Sequence, residues 1–83
     1  MAYSVLYKGS VKRDLKKIDK ATARRILDRL ERELMKTPEA GPMLKGEFAG
    51  LRKYRVGDFR AIYALLDDEV RVLRIAHRKE VYR

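Results

Sequence analysis

The sequence predicts an α+β fold in the order β-α-α-β-β-β, an antiparallel sheet of about four strands with two N-terminal helices packed on one face. Three observations carry this. Apolar residues recur at helical spacing through residues 11–34, and after residue 53 the spacing changes to alternation. Between the two regimes lies a loop that holds both prolines and three of the five glycines. A chain of 83 residues has room for one core, so residues 1–83 are read as one domain, and a Rossmann dehydrogenase or a multidomain enzyme is excluded.

Residues 3–7 (Tyr-Ser-Val-Leu-Tyr) are aromatic and β-branched, stop at Lys8-Gly9, and read as a short strand. Ser10 offers an N-cap oxygen to a first helix whose apolar side is Val11, Leu15 and Ile18 and whose opposite side is Lys12, Arg13, Lys16 and Lys17. Asp19 is a second N-cap. From it Ala23, Ile26, Leu27, Leu30 and Leu34 draw a longer stripe that ends at Thr37-Pro38, where proline blocks continuation. Residues 38–50 form the loop, with Met43-Leu44 a short edge strand. Residues 54–56, 59–66 and 70–76 then alternate as three strands, separated by Gly57-Asp58 and by Asp67-Asp68-Glu69. Glycine as the first central residue of a two-residue loop suits a type II′ hairpin turn.

The chain carries 21 Lys and Arg against 12 Asp and Glu, a formal charge of +9, which favours a polyanionic partner. With 46% hydrophobic residues spread along its length it is a folded basic domain rather than a disordered basic tail. Cysteine is absent, which removes disulfides, a thiolate nucleophile and thiolate zinc sites, and makes the cytoplasm the expected compartment. One histidine cannot build a His-based metal cluster, so no metal or cofactor is expected. No apolar run approaches the ~20 residues of a membrane helix, so no membrane partner is expected.

A Gly57-Asp58 turn pairs Val56 with Phe59, Arg55 with Arg60, Tyr54 with Ala61 and Lys53 with Ile62. Lys53, Arg55 and Arg60 then share the face away from the helices, with two arginines directly opposed. Such a like-charge pair opposes folding, and departures of this kind tend to mark functional sites. An even-length loop at Asp67-Asp68-Glu69 would bring His77 to the same face as Arg60, with Arg78, Lys79, Tyr82 and Arg83 following. The cations on any one exposed face also serve simply as a solvated surface. Tyr3, Tyr7, Tyr54 and Tyr63 fall within strand patterns and read as packing residues, whereas Tyr82 lies in a charged tail and is suited to stacking on a base.

This set suits a phosphodiester. RNA cleavage without a metal needs a base for the 2′-hydroxyl proton, cations for the phosphate, and stabilisation of the 5′-oxygen leaving group. Arginine forks hold phosphate but are poor proton donors, whereas lysine serves as a base only where neighbouring cations favour its neutral form, as Arg55 and Arg60 would for Lys53. Histidine is the ordinary proton-transfer group near neutral pH. Plain RNA or DNA binding is the rival reading.

The run Gly50-Leu51-Arg52-Lys53-Tyr54-Arg55-Val56-Gly57-Asp58-Phe59-Arg60-Ala61-Ile62-Tyr63, with Leu44-Lys45-Gly46 before it and Ala76-His77-Arg78-Lys79-Glu80-Val81-Tyr82-Arg83 at the end, resembles the RelE/ParE superfamily of bacterial and archaeal toxins, in particular its RelE branch. The resemblance implies a toxin of a type II toxin–antitoxin system. It implies a ribosome-dependent, metal-independent mRNA endoribonuclease (an mRNA interferase) that cuts A-site codons through a 2′,3′-cyclic phosphate, inhibits translation, and meets mRNA, small-subunit rRNA and an acidic, helix-rich antitoxin. By the same resemblance Lys53 takes the place of the general base, Arg55 of a second strand cation, Arg60 of the phosphate-stabilising arginine, Arg78 of the leaving-group arginine and Tyr82 of the base-stacking tyrosine. His77 stands where some members have histidine. Lys12, Arg13, Lys16, Lys17, Arg52 and Arg83 are then candidate RNA contacts. The ParE branch shares the fold and poisons DNA gyrase instead, and a relative that binds without catalysis is the third alternative.

Overall fold

A computed structural model describes residues 3–79. Strand β1 (Ser4–Tyr7) leads into helices α1 (Gly9–Lys16) and α2 (Lys20–Lys36). A 3₁₀ turn at Gly46–Phe48 follows, and strands β2 (Arg52–Val56), β3 (Phe59–Leu65) and β4 (Glu69–His77) complete the chain. The expected α+β order is present, and Asp19 caps α2 by accepting the Thr22 N–H at 3.0 Å. Ser10 does not cap α1. Lys8 occupies the cap position without a side-chain bond, and the Ser10 hydroxyl donates instead to the Leu73 carbonyl at 2.7 Å. Met43 makes an isolated antiparallel bridge to Arg52, the remnant of the expected edge strand.

The sheet is mixed rather than wholly antiparallel. Its order is β1-β4-β3-β2, with antiparallel β2–β3 and β3–β4 and a parallel β1–β4 pair. Turn chemistry specifies only the three-stranded meander. The long helical connection brings β2 in along the direction of β1, and two hairpin reversals give β4 that same direction beside it.

The β2–β3 register matches the expectation at every pair, from Lys53 opposite Ile62 to Val56 opposite Phe59. Gly57 has φ 61° while Asp58 stays at negative φ, the pattern of a type II′ turn. Ala61, Tyr63, Val70, Val72 and Ile75 face the helices and are buried with Val11, Ile26, Leu30 and Leu34. Tyr3, Tyr7 and Tyr54 pack against this core, as expected of strand tyrosines.

The β3–β4 register contains one irregularity. Leu65 pairs with Val70 and Tyr63 with Val72, but Ile62 pairs with Arg74 and Phe59 with His77, so Leu73 is an extra residue forming a bulge. The bulge reverses which alternate residues of β4 face the helices. His77 therefore lies opposite Phe59 on the helix-facing side, not beside Arg60 as loop parity alone implied. A signal for it stands in the sequence: Val70 and Val72 are two apart, and the next buried residue, Ile75, is three further on.

β1 pairs with β4 only as far as Val72, and α1 takes over the exposed edge beyond it. Ser10 satisfies the Leu73 carbonyl, and Asp14 accepts both the Ile75 N–H and the Arg74 Nε at 2.9 Å. The 38–44 loop is tied to the sheet by Tyr63, whose hydroxyl donates to the Pro38 carbonyl at 2.7 Å and accepts the Gly41 N–H at 3.0 Å. Gly41 is irreplaceable here, since a Cβ would lie 2.1 Å from the Lys53 carbonyl oxygen.

Two stability outcomes follow from these bonds. Asp14→Ala leaves a buried N–H unpaired and releases Arg74, and should lower stability by about 2–4 kcal/mol. For a domain of this size that is roughly 10–20 °C in thermal melting, with Asp14→Asn milder because its carbonyl still accepts the Ile75 N–H. A shift of a degree or two would contradict the assigned bonds. Burial pushes the Tyr63 phenol above its ordinary pKa of 10.0. The unfolded chain therefore loses this proton first, so the Tyr63 contribution is complete below pH 10 and fades as pH rises past it. Tyr63→Phe should be less stable at neutral pH by about 1–3 kcal/mol, yet lose less on going to alkaline pH. Tyr7, raised by burial and by Glu31, retains part of the alkaline slope in both proteins.

Candidate functional site

The sheet face turned away from the helices forms a grid. Arg55, Arg60 and Ala76 make one row across β2, β3 and β4, and Lys53, Ile62 and Arg74 make the next. Rows lie about 6–7 Å apart along the strands and neighbours within a row about 5 Å apart. Three of the predicted cations therefore surround one small region of sheet. Arg74 was not among the predicted residues. It stands at the far side of Ile62 and leans to the helix α1 edge, where Asp14 accepts from its Nε.

Arg60 is the centre of this grid and is half-buried. Its Nε is buried with no hydrogen-bond partner, although a charged buried donor without an acceptor costs about 1–3 kcal/mol or more. Arg55, directly opposite, turns its Nε to the Gly57 carbonyl at 2.9 Å and so braces the hairpin turn. The Arg78 N–H donates to the Asp58 carbonyl at 2.9 Å, which brings the exposed Arg78 to the other flank of that turn. Lys53 is fixed through its backbone, its N–H donating to the Pro42 carbonyl at 3.2 Å.

The remaining predicted residues lie elsewhere. Arg52 faces the helix side opposite Tyr63 and holds the Gly41 carbonyl at 2.9 Å and the Glu39 carbonyl at 3.4 Å, so its guanidinium is occupied with the loop. His77 is on the reverse of the Arg60 face, edge-on to the Phe59 ring at 5.8 Å. Lys12, Arg13, Lys16 and Lys17 are exposed on or just after α1. Tyr82 and Arg83 lie outside the described residues. Among the described residues no group of three or more His, Cys, Asp or Glu side chains could hold a metal ion, and no helix is long and apolar enough to cross a membrane.

The strand-helix-helix-meander order and a cationic outer sheet face define a class: the small toxins of type II toxin–antitoxin systems built on the RelE/ParE fold. Within it, the chain belongs to the family described as "ParE toxin of type II toxin-antitoxin system, parDE", whose model matches residues 5–82. It is similar to Toxin RelG of Mycobacterium tuberculosis, 30% identical over 86 residues that span 100% of this chain and 99% of that protein. A RelBE toxin–antitoxin complex from Mycobacterium tuberculosis superposes with a TM-score of 0.85 at 28% identity, over 94% of this chain and 100% of the other. The archaeal RelE–RelB complex from Pyrococcus horikoshii gives a TM-score of 0.68 at 30% identity, over 98% of this chain and 100% of its counterpart.

Proposed function

We propose that this toxin is a metal-independent endoribonuclease that cuts mRNA in the ribosomal A site and is held silent by an acidic antitoxin. The observation that carries the reading is Arg60: a buried, unpartnered Nε–H amid Lys53 and Arg55, on a face with no carboxylate in its two central rows. A phosphate oxygen is the acceptor that would satisfy it, and charge growing on that oxygen during cleavage strengthens the bond.

The reaction would run by transphosphorylation. A base takes the 2′-hydroxyl proton, the 2′-oxygen attacks the adjacent phosphorus, and the P–O5′ bond breaks to leave a 2′,3′-cyclic phosphate and a 5′-oxygen that gains a proton. Lys53, two residues from Arg55 on the same face, would take the 2′-hydroxyl proton. Arg60 stabilises the phosphorane. Arg78, always charged, supports the leaving oxygen by hydrogen bonding rather than by giving up a proton. With His77 on the reverse face, proton transfer is poorly served by the described residues of this face, and a ribosomal group is expected to complete the site.

An antitoxin partner is supported by the relatives solved as toxin–antitoxin complexes. It is also supported by a groove of about 780 Å³ between α1 and α2, with Leu15, Ile18 and Leu27 in its lining, where Lys12, Lys16, Lys20 and Arg24 outnumber Asp28 and Glu31. Such a surface suits an amphipathic acidic helix.

The test is induced expression followed by mapping of mRNA 5′ ends. Codon-phased cuts should appear with the wild type and fall by about 10²-fold or more in Arg60→Ala and in Arg78→Ala, the scale for losing one transition-state donor. Purified toxin should cut naked RNA poorly without ribosomes. The family description that matches the chain favours a second reading, a ParE-like gyrase poison. Intact mRNA together with relaxed or linearised DNA would establish that reading and overturn the first.

A further inference from the structure

The bulge at Leu73 leaves His77 without a part in the chemistry above, and gives it other neighbours. It faces Phe59, ring centroids 5.8 Å apart and planes at 80°. Its Nδ1 accepts the Lys79 N–H at 3.3 Å, which leaves Nε2 as the proton-bearing donor of the neutral ring. Beside the pair lies a cleft of about 290 Å³ between the end of α1 and the ends of β3 and β4. Ile18, Ile75 and Phe59 give it apolar walls, Lys17 and His77 give it donors, and Arg74 lines it while bonded to Asp14. Asp14 also lines it, but its Oδ2 already accepts from Ile75 and Arg74.

Aromatic and aliphatic walls beside cationic donors suit one flat heterocycle carrying a phosphate. The volume lies at the lower end for small-ligand sites, and the cleft is too small for a duplex. The turn between β2 and β3 separates the outer sheet face from this cleft, and two arginines flank it. Arg55 and Arg78 brace the two residues of the Gly57-Asp58 turn, and Arg78 immediately follows His77. A strand held at Arg60 would pass Arg55 and the exposed Arg78 on its way around this end of the sheet.

We infer that the Phe59–His77 cleft binds one unpaired nucleotide of the same RNA strand whose backbone lies on the Lys53, Arg55 and Arg60 face. The RNA would wrap the β2–β3 turn, its base against Phe59 and His77 and its phosphate on Lys17. This rests on the RNA reading above, but it concerns binding rather than cleavage and can be measured apart from it.

The test uses the full chain and a fluorescein-labelled octaribonucleotide carrying 2′-O-methyl groups at every position, which cannot be cut. By fluorescence anisotropy His77→Ala should weaken binding by about tenfold with an unchanged salt dependence, the scale for losing one stacked base. Lys17→Ala should reduce the slope of log K against log salt by about one, the mark of a lost phosphate contact. In methyl NMR of the wild type, the octamer should shift Ile18 and Ile75, whereas a trinucleotide of the same chemistry should not. Unshifted methyls, affinities within twofold of wild type for both variants, or a trinucleotide that binds as tightly as the octamer would each overturn the proposal. The wild-type NMR measurement decides even if a variant fails to fold. Shifted methyls without codon-phased cleavage in cells would retain the cleft and reject the nuclease, and cleavage with unshifted methyls would do the reverse.

Discussion

The buried carboxylate of Asp14 is the contact on which the arrangement of β4 depends. β4 is an internal strand, so its backbone groups point to both sides in turn and each must find a partner on its own side or be left dry and unpaired. β3 serves one side throughout. On the other, β1 is only four residues long and stops at Val72, two residues short of Arg74. Ser10 and Asp14 complete the edge from α1, and in doing so attach the helix to the strand segment that ends at His77. A single aspartate thus joins edge completion, helix docking and the placing of Arg74. Its own desolvation is offset by two donors, one of them charged.

The same bonds stand beside the bulge. Without the extra residue at Leu73, alternation would carry Ile75 to the outer face and Arg74 into the core, exchanging an apolar burial for a charged one. Burial of Ile75 and capture of Arg74 by Asp14 therefore favour one register together. One outcome of that register is separation. Ala76 stands opposite Arg60 on the outer face, and the histidine is delivered to the inner one.

Much of this was legible in the sequence wherever one local rule decided the outcome. The β2–β3 hairpin is the clearest case, because a two-residue glycine turn fixes every pair beyond it, and with them the face shared by Lys53, Arg55 and Arg60. The stripe from Ala23 to Leu34 and its stop before Pro38 follow from period and proline in the same way. What escaped depended on two distant segments meeting. The parallel β1–β4 pair is a property of the whole crossover, not of residues 3–7. Asp14 reads as one more polar residue of a surface helix until Ile75, 61 positions away, is seen donating to it. Arg52 reads as one more cation of its strand until the carbonyls of Glu39 and Gly41 are found against it. His77 was misplaced because loop parity was carried through a strand that gains a residue, although the three-residue step from Val72 to Ile75 marks where.

The opposed pair Arg55 and Arg60 shows how an unfavourable local choice is tolerated. Two guanidinium groups on directly paired residues repel, and a hairpin selected for stability alone would place opposite charges or β-branched side chains there. Among the described residues, neither arginine is paired with an acid across the sheet. Instead Arg55 turns back to the Gly57 carbonyl, and Arg60 withdraws its Nε into a site without an acceptor. One arginine thus spends its directional bond on stiffening the turn, which holds the other in place. On the proposed function, an anion arriving at Arg60 would supply the missing acceptor and reduce the repulsion at once, so the two effects would act in the same direction. Stability comes from the opposite face, where Tyr63, Val70, Val72 and Ile75 are buried against the two helices and hold the strand pairing that keeps the two arginines opposed.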